Sequence, residues 1–185
     1  MWTLPNILTA ARIAAAPGLL AAFAVLPRPL ADWTVLVLFI AAALTDYLDG
    51  WIARRFDKIS ALGAMLDPIA DKAMVLCALA VLMAVFGPEP WLALPVGIIV
   101  VREVLVSGLR EYLGEIKLPV TAAAKAKTTV QLIAIALLLV PVRLFDGLLF
   151  GLGVAGLWLA AILTAQTGWA YFQQGLAHIA KQEAK

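Results

Sequence analysis

The sequence predicts an all-α integral membrane protein of six transmembrane helices, with a polar active-site cavity on the cytoplasmic side. Composition, the recurrence of apolar stretches and the placement of charge carry that expectation. Of 185 residues, 64% are hydrophobic and 14% charged, and the mean hydropathy is +0.98. A soluble domain averages about 45–50% apolar and about 25% charged, so a soluble class is excluded. At about 20 residues per crossing, the length leaves room for roughly six spans joined by short links. Residues 1–185 are therefore read as a single membrane domain.

Apolar runs separated by turn signals define the spans. Span one covers about 6–26 and stops at Pro27-Arg28-Pro29. It lacks a basic n-region, and Asn6, Thr9 and Arg12 dot its start, so it is read as a retained helix rather than a signal peptide. Span two, about 31–55, carries Asp46, Asp49 and Arg54 in its C-terminal half. The short polar link Arg55 to Ser60 leads to span three, about 62–86, which opens with Gly63, Asp67 and Asp71 and ends at Gly87-Pro88-Glu89-Pro90. Span four, about 91–114, is apolar first and then reads Arg102, Glu103, Ser107, Arg110, Glu111. Span five, about 121–140, opens with Lys125, Lys127, Thr128 and Thr129; span six runs about 145–172, before a polar tail from His178 to Lys185.

Alternating these spans across a bilayer gathers the charge on one side. Arg12, Arg54, Arg55, Lys58, Lys72, Arg102, Arg110, Lys117, Lys125, Lys127, Lys181 and Lys185 fall there, and only Arg28 and Arg143 fall on the other. The positive-inside rule then makes that face and both termini cytoplasmic. Trp2, Trp33 and Trp91 near span ends suit interfacial anchoring. The single cysteine, Cys77, reads as a small buried hydrophobe, and the single histidine, His178, as an interfacial side chain. No nucleic-acid partner is expected.

The exception to this apolar pattern is a run of four aspartates, spaced D-x2-D-G-x2-A-R-x8-G-x3-D-x3-D from Asp46 to Asp71. A carboxylate at the bilayer centre costs about 2.5–3.5 kcal/mol, so four need a compensating role. Asp46 and Asp49 are three apart and Asp67 and Asp71 four apart, so each pair shares one helical face. The short link makes the two spans antiparallel neighbours, and the pairs can meet at one depth. Two divalent cations would balance four carboxylates, and hard oxygen ligands suit Mg²⁺ or Mn²⁺. Gly50 and Ala53 leave a shallow strip beside the acids, Arg54 can fork onto phosphate oxygens, and Gly63 permits close helix packing. Pro68 is expected to loosen its helix locally.

The run resembles the signature of the CDP-alcohol phosphatidyltransferases, matching it at Asp46, Asp49, Gly50, Ala53, Arg54, Gly63, Asp67 and Asp71. Beyond the signature, Leu4 to Thr9 with Arg12, Leu66 to Lys72, Arg102-Glu103 with Ser107, Leu109 to Glu111, and Ala124 to Thr129 with Gln131 are similar to the branch of that family whose acceptor is glycerol 3-phosphate. The resemblance implies six membrane helices, two metals held by the four aspartates, and Asp71 as proton acceptor. It implies further that CDP-diacylglycerol is held by Gly50, Arg54 and Ser60, with Ala53 and the N-terminal Asn6, Thr9 and Arg12 beside them. A homodimer in a bacterial inner membrane is also implied.

Glycerol 3-phosphate brings a dianionic head, and Arg102, Arg110, Lys125 and Lys127 cluster where spans four and five reach the cytoplasmic face. Arg102 could instead pair with Glu103 or a metal-site aspartate, and Lys125 and Lys127 could be snorkelling side chains. Sister enzymes using inositol phosphate or phosphatidylglycerol are the nearest alternatives. From another class, a divalent-cation transporter could also line a path with carboxylates. It would need polar residues continuing to the far side, where spans two and three are apolar.

Overall fold

The computed structural model describes residues 4–56, 61–113, 122–141, 144 and 147–183. Within its helices, the side chains of 4–5, 47–56, 61, 64, 110, 113, 122–125, 178 and 180–183 lie outside the description. The described residues form six helices and no strand: α1 Leu4–Val25, α2 Leu30–Phe56, α3 Ala61–Phe86, α4 Pro90–Leu113, α5 Ala122–Leu139 and α6 Gly147–Glu183. Among the described residues, segments of four are long and apolar enough to cross a bilayer: Asn6–Val25, Met65–Phe86, Pro90–Leu109 and Gly147–Ala177. In α5 the described apolar stretch is Ala126–Leu139. The chain is an all-α, multi-pass membrane protein.

It forms two compact units, Met1–Gly87 with Ile135–Phe150, and Pro88–Ala134 with Gly151–Lys185. In the first, α1 packs against both α2 and α3. The face α1 buries is Asn6, Thr9, Arg12, Ala16 and Leu19, a helical three-or-four spacing whose first half is polar. On α2 the buried stripe Ala31, Val35, Phe39, Ala42 arrives, four residues on, at Asp46. On α3 the stripe Leu82, Ala78, Met74, Ala70 arrives at Asp67. The apolar seams that hold the helices together therefore also aim the carboxylates inward.

Side-chain pairs give the helix directions. Thr9 meets Asp67 and Arg12 meets Asp71, so α1 and α3 run parallel, with α2 returning between them in sequence. Helix α3 runs unbroken through Pro68, against the expected loosening. It ends at Gly87, whose φ of +78° is the left-handed conformation glycine adopts without a Cβ clash, and whose N–H donates to Met83 O at 3.0 Å.

In the second unit the seam is made by small residues. A Cβ on Gly168 would lie 2.7 Å from Arg102 Cγ, and one on Gly175 would lie 2.8 Å from Leu109 Cδ1. The shared offset makes α4 and α6 parallel and closely approached. A Cβ on Gly156 would come 3.0 Å from Ala134 Cβ, which brings α5 against α6. Trp158 Nε1 donates to Trp91 O at 3.0 Å and ties the start of α4 to α6. The span boundaries agree with the sequence reading to within two residues except at the end of α6. There a single helix of 37 residues continues through the expected polar tail as far as Glu183. At 1.5 Å per residue it is about 55 Å long, against a hydrocarbon core of about 30 Å. Gln, Ala, Leu and Lys are good helix formers outside lipid, so the hydropathy change ends the span but not the helix.

Candidate active site

Among the described side chains, three signature aspartates meet around one guanidinium. Arg12 comes from α1, Asp46 from α2, and Asp67 and Asp71 from α3. Arg12 Nη1 donates to Asp46 Oδ1 and, at 2.9 Å, to Asp71 Oδ1. Its Nη2 lies 3.5 Å from Asp67 Oδ1, and Thr9 Oγ1 donates to that same oxygen at 2.7 Å. The Arg12 side chain is 4% exposed, whereas the three carboxylates are 45–52% exposed. A buried cation thus backs a set of acids that are open to an incoming ligand.

Asp49, Gly50, Ala53 and Arg54 lie on α2 with side chains outside the described residues, and Ser60 lies outside them altogether. Gly63 is buried at the start of α3. Asn6 is 2% exposed, on the same α1 face as Thr9 and Arg12.

Among the described residues, no three His, Cys, Asp or Glu side chains are arranged as a ready metal cage. The donor chemistry nevertheless fits a hard divalent cation. Three carboxylates converge on one guanidinium, whose single charge leaves the described group two negative charges in excess. All the acidic donors are oxygen, the ligand type Mg²⁺ and Mn²⁺ prefer.

The basic residues assigned to the acceptor lie in the second unit. Arg102 Nη1 and Lys127 Nζ each donate to Glu103 Oε1 at 2.9 Å. All three side chains are mostly buried, at 8–13% exposure. Two cations on one carboxylate leave the trio a net positive charge, and Arg102 Nε is buried with no hydrogen-bond partner among the described residues. Burial shows that Lys127 is not a snorkelling side chain, and Arg102 takes the Glu103 pairing that the sequence left open. The side chains of Arg110 and Lys125 lie outside the described residues.

Two contacts went unanticipated: Arg12 among the acids, and Glu103 as the carboxylate shared by Arg102 and Lys127. The N-x2-T-x2-R spacing was the available signal for the first, since it puts three polar groups on the buried side of an apolar helix. For the second the signal was an Arg-Glu pair late in an otherwise apolar span. Gln131 Oε1 and Thr164 Oγ1 are further buried polar atoms with no partner among the described residues.

Comparison with known proteins shows the family. Residues 2–166 match the sequence model of the CDP-alcohol phosphatidyltransferases. A protein of Cereibacter sphaeroides is 44% identical over 96% of this chain and 97% of its own length. One from Rickettsia bellii is 41% identical over 92% of this chain and 93% of its own. A third, from Pectobacterium atrosepticum, is 40% identical over 93% and 92%. Each of the three bears the name CDP-diacylglycerol–glycerol-3-phosphate 3-phosphatidyltransferase.

Proposed function

The chain belongs to the CDP-alcohol phosphatidyltransferase family, and from that premise we propose that it transfers the phosphatidyl group of CDP-diacylglycerol to sn-glycerol 3-phosphate, giving phosphatidylglycerophosphate and CMP. The family is in general dependent on divalent cations. The observation that carries the chemistry is the convergence of half-exposed Asp46, Asp67 and Asp71 from two helices of a membrane protein. The choice of acceptor draws on the names of the relatives and on the buried cations Arg102 and Lys127.

Asp46, Asp49, Asp67 and Asp71 hold two divalent cations, Mg²⁺ or Mn²⁺. Such ions supply Lewis-acid polarisation of the donor diphosphate and neutralise charge on departing CMP. Gly50 and Ala53 let the donor approach the α2 backbone, while Arg54, Ser60, Asn6, Thr9 and Arg12 line its anionic and polar parts. Arg102, Arg110, Lys125 and Lys127 bind the acceptor phosphate. Asp71, with 52% of its side chain exposed, is open to the acceptor and takes the proton of its 1-hydroxyl. The hydroxyl oxygen bonds to the β-phosphorus bearing diacylglycerol, and the bond from that phosphorus to the CMP oxygen breaks. The 185 residues act as one domain in the bacterial inner membrane, as a homodimer with both termini cytoplasmic.

The test is CMP release by purified protein given CDP-diacylglycerol, a divalent salt and a panel of acceptors. Release with glycerol 3-phosphate but not with serine or inositol phosphate is expected, and chelator should stop it. Release only with another acceptor would overturn the acceptor assignment, and metal flux in proteoliposomes without CMP release would overturn the transferase.

A further inference from the structure

We propose that Arg12 is a built-in counter-cation of the aspartate site, which holds the acids together without a divalent ion and yields to one when it binds. The inference rests on the reading of Asp46, Asp67 and Asp71 as cation ligands. Its geometric basis is that one nearly buried guanidinium, on a different helix from all three acids, reaches every one of them. A side chain that only filled the α1 seam would need none of these contacts. A side chain reserved for a phosphate would have no cause to spend both Nη atoms on carboxylates.

The arginine and a divalent ion have claims on the same carboxylates. Nη1 holds Oδ1 of both Asp46 and Asp71, two of the acids that would hold the cation. A divalent ion would bring twice the guanidinium's charge to the same acids, so the two would compete for them. Binding then comes at the expense of the guanidinium pairs. Arg12 therefore lowers cation affinity while preventing mutual repulsion from spreading α2 and α3. Released from the acids, the guanidinium is available to the anionic donor. Toward the cation, Arg12 acts through the aspartates as a positioning residue.

The experiment measures Mn²⁺ binding by electron paramagnetic resonance, and thermal unfolding in chelator, on the purified full chain in detergent. Arg12→Gln should bind Mn²⁺ at least tenfold more tightly than the wild type. It should unfold several degrees lower in chelator, with saturating Mn²⁺ closing the gap. Adding Asp46→Asn to Arg12→Gln should recover part of the lost unfolding temperature in chelator, where no metal takes part. Arg12→Lys keeps the charge with a shorter reach and should give an intermediate Mn²⁺ affinity; it carries the test if Arg12→Gln does not fold. Unchanged or weaker Mn²⁺ binding in these variants overturns the proposal, as does the absence of charge rescue. A wild type that binds no Mn²⁺ while charge rescue persists sinks the cation-site reading, and the competition with it.

Discussion

Thr9 Oγ1 donates a 2.7 Å hydrogen bond to Asp67 Oδ1, joining α1 to α3 across 58 residues of sequence. The hydroxyl is on the buried face of its helix, 1% exposed, and its acceptor also lies 3.5 Å from Arg12 Nη2. Thr9→Val keeps the shape and removes the donor. Hydrogen bonds to charged groups contribute about 1.5–3 kcal/mol, and half-exposed Asp67 regains water, so a loss near about 1.5 kcal/mol is expected. Unfolding of Thr9→Val and Thr9→Ser in the same detergent checks this, since the serine variant should retain most of the stability.

Asp71→Asn should abolish turnover while leaving the protein folded. An amide keeps the volume but cannot accept the proton from the acceptor hydroxyl. CMP release should fall by at least a thousandfold at saturating Mg²⁺, with the unfolding temperature within a few degrees of wild type. Substantial residual turnover would remove Asp71 from the role of base.

Glu103→Gln should destabilise the second unit. Arg102 and Lys127 would then be left as like charges without their shared carboxylate. Breaking a buried pair by removing one partner costs about 3–5 kcal/mol. Saturating glycerol 3-phosphate should narrow the deficit in unfolding temperature, because its dianion offers those cations a new partner. An equal deficit with and without acceptor would place Arg102 and Lys127 outside the acceptor site.

Gly168→Ala tests the close approach of α6 to α4. The new methyl would sit 2.7 Å from Arg102 Cγ, near the root of that side chain, so α4 and α6 must move apart. Overpacking of this kind costs about 1–3 kcal/mol. The variant should unfold at lower temperature and show a raised KM for the acceptor, with the KM for CDP-diacylglycerol unchanged.

Much of this was legible in the chain. Apolar run lengths and the Pro-Gly signals at 27–29 and 87–90 placed five helices to within two residues at each end. The sixth overran because hydropathy reports where lipid ends, whereas backbone hydrogen bonding continues for as long as the residues favour helix. Spacing also put Asp46, Asp67 and Asp71 on inward faces. It did not reveal that the buried face of α1 begins with Asn6, Thr9 and Arg12 so as to meet those acids, because periodicity orients a helix without naming its neighbour.

By itself, then, the sequence determined an all-α membrane protein and its family, and singled out the acids and bases proposed to carry the chemistry. These follow from local quantities: the cost of placing charge in lipid, helical periodicity, and a motif of residues at set intervals. Tertiary structure alone decided the partners. Among the described side chains Arg12 meets three carboxylates, and Glu103 meets two cations. A buried charge must find its counter-charge wherever packing brings one, and packing joins residues that the chain keeps far apart.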